Sequence, residues 1–205
     1  MSDHNEPARG RGRRRTGESD SGQKLGRQSP ITDPEKARAI CLKQLSWAPR
    51  TRSQLARAMR RRGVTDEVAA RILARFEDVG LIDDAAFAAA WVESRHVGRS
   101  VGRRKLAQEL HNRGVAGTIV REAVDALPAE IERATAYALV NRRLPSTAGQ
   151  PAALRARRLA GILARKGYPA GLAYDVVRDA LAAEGQELPE VDIPDELDEL
   201  DAGGR

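Results

Sequence analysis

One pattern, written three times, constrains this chain more than any other feature of it. "LARAMRRRGV" at 55–64 returns as "LAQELHNRGV" at 106–115 and as "LAGILARKGY" at 159–168. Each copy opens on Leu-Ala, places an apolar residue four positions after the leucine, and closes on a basic residue, a glycine and an apolar residue. The glycines Gly63, Gly114 and Gly167 stand 51 and 53 residues apart. Near-constant spacing of this kind predicts a tandem array of similar small units rather than one continuous core.

The composition makes those units helical. The apolar residues are mostly Ala, Leu and Val, and only seven residues of the 205 are aromatic. Ala- and Arg-rich, aromatic-poor segments favour helices over sheets. No alternating strand pattern interrupts residues 33–183. In the first unit Thr32, Pro34 and Glu35 have the spacing of a capping box, and Ile40, Leu42 and Leu45 mark the expected buried side. Thr51 and Gln54 repeat the capping spacing ahead of Leu55 and Met59, and Gly63 supplies the left-handed helix end. Thr65 is the expected cap of the next helix, with Asp66 and Glu67 in its positive first turn. Val68, Ile72 and Phe76 form a stripe at four-residue steps. Counting from each repeat glycine, position +5 is Val68, Ile119 or Leu172, and position +10 is Leu73, Val124 or Val177. The fold expectation is therefore all-α, with three three-helix units at 33–82, 83–127 and 128–183. A polar, basic leader at 1–32 and an acidic tail at 184–205 read as disordered, with a short helix possible over 196–200.

Charge divides unevenly along the chain. The tail from 184 onward carries nine acidic groups and one basic group, so a total of +6 conceals a strongly basic body. Within that body the charge collects on the second helix of each unit: 50–62 carries +6, 99–113 carries +4 and 155–166 carries +5. Ordinary solvated helices intersperse signs, and Arg near a helix C-terminus also complements the dipole. Three matching clusters with almost no acids among them predict a stripe that meets a polyanion. The candidate contacts are Arg57, Arg60, Arg61, Arg103, Arg104, Lys105, Arg113, Arg157, Arg158, Arg165 and Lys166. The tail is expected to compete with DNA for this stripe.

Other chemistries find little support. His4, His96 and His111 are scattered without a nucleophile, and His111 reads as exposed. "GRSVGRR" lacks the ending of a phosphate-binding loop. Cys41 is alone and reads as a core residue, and no Cys/His spacing suits a metal, so neither cofactor nor enzymatic activity is expected. No apolar run is long enough for a bilayer, and a cytoplasmic monomer is the simplest reading. The three-helix units suggest a helix-turn-helix reader, but their third helices carry Asp66 and Glu67, Glu122 and Asp125, or Asp175 and Asp179. Base-specific reading is not expected from such helices, and few aromatics remain for stacking on single strands. Contacts to phosphate or to an acidic protein groove are left.

At the junction of the first two units stands "GLIDDAAFAAAWVESR", 80–95. Its Leu-Ile-Asp-Asp run, with Phe87, Trp91 and Arg95 at four-residue steps after Asp83 and Asp84, resembles the signature of the RecX family, modulators of the RecA recombinase. The resemblance extends over roughly 35–182 and includes the segments around Gly63 and Gly167. Either aspartate would cap the helix, Phe87 and Trp91 would share a face, and Arg95 would lie over Trp91; these are scaffold roles. The resemblance implies three three-helix repeats in an elongated, curved array. It implies binding to RecA, chiefly as its filament on DNA, with inhibition of recombinase, ATPase and coprotease activity, and binding to DNA. Two other readings stay open on the residues alone: a general DNA-binding protein that never touches RecA, and a protein-only helical scaffold. The leader, the loop at 145–152 and the acidic tail depart from the common pattern.

Overall fold

The computed structural model describes residues 30–186. The leader, the helix expected at 196–200 and all of the tail beyond Gln186 lie outside the described residues. Among the described residues nine α-helices run in order: α1 Pro34–Leu45, α2 Arg52–Arg61, α3 Asp66–Asp78, α4 Asp84–Arg99, α5 Arg103–Asn112, α6 Gly117–Asp125, α7 Ala129–Arg143, α8 Ala152–Lys166 and α9 Ala170–Ala182. A short 3₁₀ helix, Leu144–Thr147, occupies part of the loop before α8. Among the described residues the extended pairing is a single parallel bridge, Ile31 to Val64. The helices pack in threes, α1–α3, α4–α6 and α7–α9, and each triplet encloses its own apolar cluster.

The repeated sequence positions explain why each triplet closes. Leu55, Leu106 and Leu159 are completely buried, as are Met59, Leu110 and Leu163 one turn later. Each buried side chain of this size is worth about 1.5–3 kcal/mol relative to exposure. Leu73, Val124 and Val177 are buried too, whereas at the +5 position only Val68 is, with Ile119 and Leu172 half-covered. The first helix departs from expectation. It buries Ala37 and Cys41, while Ile40 and Leu45 are half-covered and Leu42 is exposed. Small residues suit this side, since α1 approaches both α2 and α3.

Helix starts show both where local reading succeeds and where it fails. Thr51 Oγ1 accepts from Gln54 N and Gln54 Oε1 accepts from Thr51 N, each at 3.2 Å, a complete capping box. The cap of α1 is Asp33 rather than Thr32: its Oδ1 accepts from Glu35 N at 2.9 Å, directly ahead of the first-turn proline. Asp83, not Asp84, caps α4 by accepting from Ala86 N at 2.8 Å. Thr65 makes no side-chain cap; its backbone N–H instead donates to Ile31 O.

The units join by one rule applied twice. The N-terminus of a second helix meets the glycine turn that ends the second helix of the following unit. Between units two and three, Gly102 N donates to Lys166 O at 2.9 Å and Arg104 N to Gly167 O at 3.1 Å. Between units one and two, the Thr51 hydroxyl donates to Arg113 O at 2.7 Å. A carboxylate from the following unit's first helix completes each joint. Asp84 accepts from Arg52 N at 2.9 Å, and Glu132 accepts from Arg103 N at 2.8 Å. Helices α8, α5 and α2 thus meet C-terminus to N-terminus as a column of three, with a summed helical length of roughly 50 Å at about 1.5 Å per residue. Beyond Gly63, the segment at Ile31 fills the corresponding place, with Ile31 N donating to Gly63 O at 2.7 Å. At the opposite end Arg155, in register with Thr51 and Gly102, is buried and bonded to Thr147, Glu184 and Gln186.

Candidate functional site

The column gathers the expected cations, and its packing sorts them. Arg57, Arg60 and Arg61 on α2 and Arg157, Arg158 and Arg165 on α8 are exposed. Arg60 meets Asp66 at 3.6 Å and Arg158 donates to Gln150 at 2.8 Å, both at the surface. Exposed pairs of this sort hold a side chain weakly and leave it available to a stronger anion. Three of these arginines, Arg60, Arg61 and Arg165, lie in the last turns of α2 and α8, where cations also complement the negative helix end.

Other members of the predicted stripe have internal work. Arg103 Nε lies 2.6 Å from Glu132 Oε2, and Arg103 Nη2 donates to Leu127 O at 3.1 Å. Glu132 is almost sealed at 2% exposure, so Arg103 neutralises a charge that the interior cannot hold alone. Arg113 lies over the Trp91 ring, 3.5 Å from its centroid, and donates to Glu109 O. Burial there pushes its guanidinium down from the ordinary value. Lys105 and Lys166 tie the second joint by donating to Arg165 O at 3.2 Å and Arg99 O at 2.7 Å. Arg104 is half-buried beside them.

Hollows along the column show which cations share a surface. One of about 220 Å³ is bordered by Arg50, Gln54, Arg57 and Arg61, one face of α2. A second of about 930 Å³ takes Arg104, Lys105, Gln108 and His111 from α5 and Arg165 from α8. Arg165 also borders a third of about 500 Å³, with Arg157 and Arg158. Arg57 reaches the Gly114 turn, its Nη2 lying 3.5 Å from where a Cβ on that glycine would stand. Cations from α8, α5 and α2 therefore follow one another across both joints. Arg50, counted in the 50–62 cluster, and Gln108 were not named as contacts from the sequence; Arg50 stands seven residues before Arg57 and Gln108 three before His111. His111 is exposed, as expected.

The motif segment has scaffold geometry. Phe87 stacks on Trp91 with centroids 5.9 Å apart, and Arg95 lies 4.1 Å over the Trp91 ring. Trp91 Nε1 donates to Glu109 at 2.9 Å, which clamps α4 to α5. His96 is buried between Val101 O and the Thr135 hydroxyl, each at 2.9 Å. Because a carbonyl only accepts, Nδ1 carries the proton. This ring links units two and three. Cys41 is buried, and desolvation pushes its thiol up to about 11. No cluster of three or more His, Cys, Asp or Glu among the described residues is placed to hold a metal ion. No described helix is long and apolar enough to cross a membrane.

Comparison with known proteins agrees with this architecture. A family model described as "RecX, first three-helix domain" matches residues 37–76, and one described as "RecX, second three-helix domain" matches 83–124. A protein named "Regulatory protein RecX" from Thermobifida fusca (strain YX) is 57% identical over 159 residues, covering 78% of this chain and 84% of its own length. The protein of that name from Streptomyces coelicolor is 51% identical over 172 residues, covering 83% and 92%. The crystal structure of RecX from Lactobacillus salivarius superposes with a TM-score of 0.66 at 18% identity, covering 74% of this chain and 95% of that one. A second crystal structure of a regulatory protein RecX gives a TM-score of 0.64 at 24% identity over 71% of each chain. With more than half of the residues shared along most of a relative's length, and the same triplet fold beneath them, the chain belongs to the RecX family of regulatory proteins.

Proposed function

We propose that this protein is a non-enzymatic regulator that binds RecA and the RecA–DNA filament in the cytoplasm and inhibits recombinase, ATPase and coprotease activity. It acts as a monomer laid along the filament, its basic column against DNA phosphates or an acidic protein surface. The observation that carries this reading is the meeting of α8, α5 and α2 end to end, with exposed arginines on α8 and α2 and, between them on α5, Lys105 and the half-buried Arg104. Three helices joined in this way, about 50 Å of helix in all, can hold a polymer through several weak contacts. Binding through phosphates is salt-steep, and each contact removed lowers the slope by about one.

The deciding experiment follows RecA ATP hydrolysis on single-stranded DNA with substoichiometric protein. Strong inhibition well below one copy per RecA is expected, which simple competition for DNA cannot produce. Its absence assigns the column to general DNA binding. Reversal of Arg60, Arg61, Arg157 and Arg158 to Glu is expected to abolish both DNA affinity and inhibition while leaving the helical content unchanged.

A further inference from the structure

The motif helix α4 does more than pack. Phe87, Ala90 and Trp91 line an open groove of about 500 Å³ together with Pro49, Arg50, Leu81 and Asp83, whose carboxylate is engaged in capping α4. Trp47, two residues before Pro49, is 79% exposed, and Leu81 is exposed as well. Large apolar groups gathered at one place on a surface mark a site of association. Arg50 borders both this groove and the hollow that holds Arg57 and Arg61. Its Nε is buried without an acceptor among the described residues. The sealed Nε is out of an incoming ligand's reach, but the cation's place at the edge of both hollows, beside an apolar shelf, favours a carboxylate attached to something that also buries an aliphatic or aromatic side chain.

We infer that this groove docks a segment of a partner protein in which an apolar anchor stands next to acidic residues, the anchor on the Phe87–Trp91 shelf and a carboxylate on Arg50. The inference rests on the filament reading and divides its contacts: the groove takes the protein component, the column the phosphates. The chain's own acidic tail is the competing occupant, since Leu200, between Glu199 and Asp201, stands fourteen residues beyond Gln186 and spans about 46 Å at full extension. A chain ending at Gln186 whose filament affinity rises while its naked-DNA affinity does not assigns the groove to that tail and overturns the proposal.

Ala90→Glu and Ser94→Glu place a like charge on the exposed wall of the groove without touching a buried side chain. Each is compared with wild type for affinity to the RecA filament on single-stranded DNA, affinity to naked DNA, and mass by light scattering. Both variants are expected to lose at least tenfold in filament affinity while naked-DNA affinity stays within twofold. Filament binding by both at the wild-type level overturns the groove and leaves the functional reading standing. A wild-type protein that binds DNA but not the filament overturns both. Self-association of wild type that either substitution abolishes assigns the groove to a second copy and overturns the proposal.

Discussion

Gly167→Ala tests whether the column is held by close backbone approach. Gly63 and Gly167 occupy the same repeat position with φ of +79° and +82°, so a β-carbon strains both turns alike. That strain costs about 1–2 kcal/mol, offset by about 0.4–1 kcal/mol from a less flexible unfolded chain. Nothing lies within 4 Å of a Cβ at Gly63. At Gly167 the added atom would stand 2.4 Å from Lys105 Cβ and 2.5 Å from Lys105 N, so α5 must move away. Movement breaks the bonds from Gly102 N to Lys166 O and from Arg104 N to Gly167 O, each worth about 1 kcal/mol net. Gly63→Ala should therefore cost about 1 kcal/mol and Gly167→Ala about 3 kcal/mol. In urea, where such proteins show slopes of about 1–3 kcal/mol per M, the two midpoints should differ by about 1 M. Circular dichroism measures the midpoints, and hydrogen exchange at the Gly102 and Arg104 amides reports the joint itself. Equal midpoints, or undiminished protection of those amides in Gly167→Ala, would refute the reasoning.

Gly114→Ala should be milder in a Ser53→Gly background, because the Ser53 side chain is what its Cβ would strike; additive effects in a double-mutant cycle would count against this contact. Arg103→Ala should lower stability by about 2–4 kcal/mol by stranding Glu132, whereas Arg60→Ala should stay within about 0.5 kcal/mol, both read from thermal or urea unfolding. Cys41 should resist thiol reagents at pH 8 until the protein unfolds. The stability gained by keeping it neutral is complete below the ordinary thiol range and is lost as pH rises through about 11. Asp179 is held below the usual carboxylate range, first by the Tyr137 hydroxyl and then by Arg178 and Arg133, so its contribution is present above that range and lost as pH falls through it. Asp179→Asn should flatten the acid limb of a melting-temperature profile.

Local features were readable from residues alone. A Thr three places before a Gln caps a helix, and a glycine after a basic helix end turns the chain, because both depend only on near neighbours. The family motif likewise foretold the Phe87–Trp91 stack and the Arg95 cover, which lie on one face of one helix. The joints were not readable. Gly63, Gly114 and Gly167 share a sequence context and a φ, yet only the last two lie beneath another unit. Arg103 and Arg113 belong to runs that look as exposed as that of Arg60 and Arg61. What separates them is Glu132, 29 residues away from Arg103, and Trp91 on a different helix. A periodic pattern announces which side of a helix is buried, but it carries no address for a partner contributed by the next unit. The charge stripe was thus legible as a quantity and only in part as a surface.

Among the described residues, both ends of the helix column are covered. Ile31 sits on the Gly63 carbonyl where an incoming helix would otherwise attach, and Arg155, clasped by Glu184 and Gln186, closes the far face. Each internal seam would accept another copy of itself, so an unplugged rod would grow by head-to-tail addition into a fibre of its own. Among the described residues the array holds three such units, and under the filament reading proposed above its closed ends suit a ruler for another polymer rather than the start of one.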